Sequence, residues 1–409
     1  MSNSIGQAQQ TDRWSIKITL LLASTLTVMS GATISPSLPA MENHFAGVDN
    51  VSLWVRLVLT VPALLIVVGS PIAGQLVDRF GRKPLLFGSA VLYGLAGSSG
   101  LVLNSLFAIL AGRAFLGLAV AGVMVSATTL IADYYQGSER ANFMGLQAAF
   151  MGFGGVLFLS VGGFVADLSW RYPFAIYLLA WLLVPAIALI LFEPQFDKTQ
   201  ADSSQPISQF PVKLLAFIYA SVLLQMLVFY LIPVQLPFYL QQLSGASASQ
   251  AGLAIALSTL FSALASMNYG KIKRRFSYIS ILAIAFSLMG AGYVGIGLTD
   301  SVWLAGSYWL VLIMLIPTGI GLGLILPNLN VWTSDEVPDN LRGRALGGLT
   351  TFMFLGQFLS PIASQPVSST LGLAATYGLA GVLLVVVGVL LWIFKKQVCR
   401  SVDSAVGRA

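Results

Sequence analysis

Apolar runs of about twenty residues follow one another along this chain, and nothing else in it constrains the fold so tightly. They fall near 16–39, 52–74, 84–103, 105–132, 142–166 and 172–192, then near 213–240, 249–270, 278–298, 303–331, 342–366 and 373–395. About twenty apolar residues at helical rise cross the ~30 Å hydrocarbon core of a bilayer. Backbone polar groups find no water there, so only helices and closed barrels span it. Barrel strands alternate apolar and polar residues over about ten positions, and these runs do not alternate. The expected fold is therefore an all-α integral membrane protein with twelve transmembrane helices. The first run, after Arg13 and Lys17, is longer than the apolar region of a cleaved signal peptide and is read as a span.

Charge then orients the chain. Only 9% of residues are charged, against roughly 25% in a soluble protein. With the N-terminus inside, every Lys and Arg except Arg56, Arg113 and Arg171 falls at an inner end, inner loop or tail. That is the positive-inside pattern. The net charge of +6 is thus a topology signal, and no nucleic-acid partner is needed to explain it. The expected location is the inner membrane of a bacterium, with both termini cytoplasmic and the chain monomeric. A single cysteine, Cys399, excludes an intrachain disulfide, and the single histidine, His44, lies in a short polar loop. No catalytic or zinc-binding constellation appears, so neither an enzyme nor a cofactor is expected.

The chain also repeats. Asp133, Arg140, Gly145, Phe150 and Met151 recur as Asp335, Arg342, Gly347, Phe352 and Met353, all 202 residues on. Leu38-Pro39 returns as Leu236-Pro237, and Gly74, Arg79 and Phe80 return as Gly270, Arg275 and Phe276. Three matches in the same order point to two pseudo-symmetric six-helix halves, 1–192 and 213–409. The polar stretch 193–212, with Pro194, Pro206 and Pro211, reads as a cytoplasmic linker, since proline interrupts helices. Parallel repeats of six helices mark transporters, with the substrate site near the midplane.

Charge is concentrated in GQLVDRFGRKPLL, which begins at Gly74. Gly74 ends span 2 and permits close helix contact, and Gly81 keeps the turn tight. Asp78 can accept from free N–H groups at a helix N-terminus. Arg79, Arg82 and Lys83 can hold that carboxylate or meet other acids such as Asp133 or Glu139. Gly74, Leu76, Asp78, Arg79, Gly81, Arg82 and Lys83 complete the pattern Gly-x-Leu-x-Asp-Arg-x-Gly-Arg-Lys. In this the chain resembles the major facilitator superfamily, over essentially its whole length. RAFLG from Arg113 resembles the Arg-x-x-Gln-Gly motif of that family's drug:proton antiporters, with Leu116 in place of Gln. MGFGGVLFLSVGG from Met151 resembles their span 5 motif, with Phe158-Leu159 where Gly-Pro would stand. The resemblance implies alternating access and a latch in which Asp78 meets the start of span 11 near Arg342. The remaining gating candidates are Asp133, Arg140 and Asp335.

Ionisable residues inside spans are costly and usually functional. Arg113, about eight residues into span 4, is the first candidate for the substrate path, with Arg56 beside it. No acid balances them at mid-span, which favours a carboxylate or phosphate, because arginine's planar fork suits both. Gln147, Gln225, Tyr230, Gln235, Asn328, Asn330 and Gln357 can add hydrogen bonds, or equally can join neighbouring helices. Phe150, Phe153, Phe352 and Phe354 can line an apolar pocket. Antiporters resembling this family often carry an acid in helix 1 or 7, and none is present here. If protons are the coupling ion, the titrating candidates are Asp133, Asp167, His44 and the substrate itself. The expected function is export of small organic molecules, as proton-coupled multidrug efflux. The alternatives are dedicated export of an anionic metabolite such as a carboxylate siderophore, import of a small organic anion, and a membrane receptor.

Overall fold

The computed structural model describes residues 13–194, 211–300 and 307–395. Most of the expected linker, and the tail with Cys399, lie outside the described residues. The chain divides into two compact units, Met1–Gln200 and Ala201–Ala409. In the first, α1 is Trp14–His44, α2 Val51–Phe80, α3 Arg82–Leu101, α4 Leu106–Tyr134 and α6 Tyr172–Ile190, while α5 is Gly137–Leu168. In the second, α7 is Val212–Ser244, α8 Ala248–Met267, α9 Tyr278–Leu298 and α10 Tyr308–Glu336. Then α11 runs from Asp339 to Ile393 and breaks at Gly372, with φ 83° and ψ 167°. Only glycine takes such backbone readily, and the two arms of α11 complete twelve spans. No strand occurs among the described residues.

Proline bends the first helix of each unit. In α1 the regular helix stops at Ala32. A 3-10 turn, Ser35–Ser37, carries Pro36, and the helix resumes as Leu38–His44 with Pro39 in its first turn. The chain thus stays helical beyond the expected end at residue 39. His44 is accordingly the last residue of a helix rather than part of a loop. Its ring lies 4.8 Å from that of Phe45 and 5.1 Å from that of Trp170. In α7 the interruption falls at Tyr230, between Val212–Phe229 and Leu231–Ser244. Pro233 lacks the N–H that would reach the Phe229 carbonyl.

Lipid gives apolar faces no reason to leave it, so spans associate through close packing and interhelical hydrogen bonds. Both occur here, and in duplicate. A Cβ on Gly117 of α4 would lie 2.5 Å from the Pro62 carbonyl oxygen of α2, and a Cβ on Gly319 of α10 would lie 2.4 Å from that of Ser258 in α8. Glycine therefore sets both crossings. The Tyr93 hydroxyl donates to the Leu26 carbonyl at 2.7 Å, and that of Tyr177 to Ser30 at 3.0 Å. In the second unit Tyr293 donates to Val228 at 2.9 Å and Tyr377 to Leu231 at 2.8 Å. Each pair of tyrosines stands 200 residues from its counterpart (93 and 293, 177 and 377). The repeat seen in the sequence is thus also a repeat of contacts, with tyrosines pinning the bent first helix.

Candidate functional site

Arg113 lies in α4 with 0% of its surface exposed. It does not snorkel; its nitrogens turn inward onto backbone. Nε donates to the Val58 carbonyl at 2.9 Å. That carbonyl is free because Pro62, four residues on, has no N–H to give it. Nη2 donates to the Ser30 carbonyl, where α1 is about to lose its regular turns. The guanidinium also lies 5.2 Å from the Tyr177 ring centroid, a cation–π contact. Nη1 alone has no partner, and it has no accessible surface. A cation inside a membrane protein is tolerated when carbonyls pair with it, and here the proline and the helix break supply them. At the equivalent position of the second unit, 202 residues on, stands Leu315.

Arg56 is not the unbalanced cation expected from sequence. Nη1 pairs with Glu42 Oε2 at 2.8 Å and donates to the Ser52 carbonyl at 2.6 Å. Glu42 reaches it because α1 continues through residues 38–44. Ser52 also donates to Glu42. This arrangement ties the end of α1 to the start of α2.

The polar candidates are held in different ways. Gln147 of α5 is half-buried and donates to Ser24 Oγ of α1 at 2.8 Å, and Gln235 of α7 donates to Ser364 Oγ of α11 at 3.2 Å. Both join helices. Asn330 bonds its own helix, to Leu326 at 3.0 Å. Asn328 is fixed between Tyr278 and Tyr269. Gln357 is 8% exposed, and Tyr230 is half-buried at the α7 interruption, edge-on to Phe229 at 5.3 Å. Gln225 of α7 is fully buried, and neither amide atom has a partner.

The charged segment forms a network at one end of the first unit. Gly81 has φ 97° and turns the chain sharply from α2 into α3. Arg82 Nε meets Asp133 Oδ2 of α4 at 3.1 Å, one of the pairings that the sequence left open. Lys83 Nζ donates to the Ala188 carbonyl in the last turn of α6 at 2.8 Å, an end short of helical partners. The acid at the helix N-terminus was not foreseen. Glu193 takes the backbone N–H groups of Arg82 and Lys83, each at 2.8 Å. It stands just past α6, 111 residues from Arg82, and no local pattern marks it. Asp78, Arg79 and Arg140 are exposed. Gly74 does not end α2, which continues to Phe80, and a Cβ there would meet nothing within 4 Å.

The second unit replaces this ion pair with a phenol. Tyr278, 196 residues after Arg82, donates to Asp335, the counterpart of Asp133. Lys273 Nζ lies 3.6 Å from the Tyr278 ring centroid. Arg342 is half-buried near the start of α11.

Two repeated helical units, with a carbonyl-bound cation in one, define a membrane transporter rather than an enzyme. The chain belongs to the major facilitator superfamily: the family so described matches residues 20–303 and again 218–408. The class C tetracycline resistance protein of Escherichia coli is 27% identical over 362 residues, covering 84% of this chain and 87% of that protein. The quinolone resistance protein NorA of Staphylococcus aureus (strain MRSA252) is 25% identical over 331 residues, 78% of this chain and 83% of NorA. The crystal structure of a D-xylose-proton symporter aligns with a TM-score of 0.78 at 19% identity, over 93% of this chain and 97% of that one, a likeness of fold.

Proposed function

We propose that the chain exports small, largely apolar organic molecules by alternating access in exchange for protons. The use of Arg113 carries this reading. Nε and Nη2 are taken by the Val58 and Ser30 carbonyls and Nη1 has no accessible surface, so an anionic solute meets no exposed guanidinium there. The substrate candidates carry amides, a hydroxyl and rings, namely Gln147 in the first unit and Tyr230, Gln235, Asn330 and Gln357 in the second, and such groups suit neutral or apolar molecules of varied shape. Relatives named for tetracycline and quinolone resistance support the same reading.

The latch completes the cycle. Asp78, with Gly74 and Arg79 beside it, serves as a cytoplasmic latch that holds in one state of the cycle and lets go in the other. Arg82, Lys83, Asp133, Arg140 and Asp335 brace the helix ends that move. The protein works as a monomer in the inner membrane of a bacterium. Its termini and the linker 193–212 face the cytoplasm.

The test uses everted vesicles containing the protein. Imposing an inward-acid gradient is expected to drive uptake of a fluorescent quinolone or tetracycline, and a protonophore is expected to abolish it. No drug uptake, together with one organic acid trapped inside cells lacking the protein, would overturn the reading in favour of a dedicated anion exporter.

A further inference from the structure

The second unit carries a groove that the transport reading leaves unused. Between α9 and the closing arm of α11, Ala283, Ile284, Ser287, Gly388, Val389 and Trp392 surround a cavity of about 420 Å³. Gly388 draws the two helices together, because a Cβ there would lie 2.4 Å from Ser287 Oγ and 2.8 Å from the Ala283 carbonyl oxygen. The small residues make a floor and the larger ones make walls. Val389 and Trp392 are 45% and 44% exposed, so the trough is open along one side.

One end of this trough is cationic. Lys395, three residues beyond Trp392, holds Nζ 4.5 Å from the indole centroid. The packing of Gly388 on Ala283 and Ser287 brings the end of α11 to the beginning of α9. Just ahead of α9 the chain reads Lys271, Lys273, Arg274 and Arg275, with no acid between Gly270 and Ser277. Lys271, Arg274 and Arg275 are exposed. The equivalent stretch of the first unit has Asp78 where this one has Arg274. Asp335 and Glu336 act on Tyr278 at this end, and the four basic residues 271, 273, 274 and 275 outnumber them.

We propose that the groove retains one phospholipid with an anionic headgroup, its acyl chain along Ile284, Val389 and Trp392 and its phosphate at Lys395. An apolar trough alone would take any acyl chain. The selection comes from the headgroup end. Trp and Lys together anchor at the depth of lipid headgroups. A Lys–phosphate contact is a charge-assisted hydrogen bond. Clustered basic residues beside a span attract anionic rather than zwitterionic lipid.

The test is native mass spectrometry of the full chain in mild detergent, titrated with phosphatidylglycerol or phosphatidylcholine. One phosphatidylglycerol is expected to stay bound at concentrations where phosphatidylcholine does not. Lys395→Gln is expected to weaken phosphatidylglycerol binding about fivefold, the effect of one basic residue near an anionic surface. Val389→Trp, which fills the trough, is expected to remove the bound lipid. Lys395→Gln leaves the trough's shape alone, so it decides the matter even if Val389→Trp misfolds. Equal retention of the two lipids would overturn the proposal. So would binding that neither variant changes, or a dimer mass that Val389→Trp abolishes, which would put a second copy on the groove.

Discussion

If Arg113 is chiefly a donor to stranded carbonyls, its importance must depend on Pro62. Consider Arg113→Met, which keeps most of the volume and removes the donors. The Val58 carbonyl then loses its 2.9 Å partner, while the Ser30 carbonyl keeps the Tyr177 hydroxyl at 3.0 Å. Leaving one buried acceptor unsatisfied costs about 1–3 kcal/mol. Cycles within membrane proteins return smaller couplings, about 0.6 kcal/mol on average and about 1.7 at most. Removing a buried cation offsets part of the loss. A net destabilisation of about 1 kcal/mol is expected. Pro62→Ala restores an N–H at position 62, which can close the helical bond to Val58. In that background Arg113→Met is expected to cost about 1 kcal/mol less. Unfolding of the four proteins in detergent measures this coupling. Additivity within about 0.5 kcal/mol, the level expected of independent sites, would refute the reasoning. So would a transport defect of Arg113→Met confined to anionic solutes, which would return Arg113 to the substrate path.

Three further outcomes follow from the same contacts. Glu193→Gln leaves one acceptor for two backbone N–H groups and is expected to cost about 1 kcal/mol, seen as several-fold faster hydrogen exchange at Arg82 and Lys83; unchanged exchange would remove Glu193 from its capping role. Gly81→Ala forces φ 97° on a residue with a Cβ and sets that Cβ 2.7 Å from Glu193 Oε1. A cost of about 1–3 kcal/mol is expected, and an unshifted unfolding midpoint would contradict the turn. Gln225→Leu removes a buried amide without partners and is expected to be neutral or stabilising by up to about 1 kcal/mol; a loss of stability would reveal a bound water or solute on that amide.

Helix number and repeat were legible because both rest on patterns longer than any local ambiguity. Spans need only length and apolarity, and prolines cannot hide a run of twenty. The ends were harder. Helix α1 outlasts its prolines because Pro36 and Pro39 each fall in the first turn of a new segment, where the missing N–H costs nothing. That small extension brought Glu42 to Arg56 and changed a candidate anion site into a brace. Helix α11 likewise runs on past residue 366 to Gly372. Among the site residues, the pairing of Arg82 with Asp133 was legible from opposite charges at the same end. Glu193 was not, because its partners are backbone groups more than a hundred positions away. Nor were the bonds of Arg113 to Val58 and Ser30, since sequence shows that proline leaves a carbonyl free without showing what comes to fill it.

The tyrosine pins suggest how much of this molecule one half could supply. A chain made from two copies of the second unit would still bend its first helices and still hold them with Tyr293 and Tyr377, and its glycine crossings at Gly319 would close in both halves. It would have a phenol in place of the Arg82 ion pair, a leucine in place of Arg113, and no carboxylate seated on the turn into α3. Such a duplicate has the parts of a scaffold and lacks the Arg56–Glu42 and Arg82–Asp133 pairs of the first unit. The hydroxyl–carbonyl bonds common to both halves are thus physically separable from the ionic contacts that the first half adds.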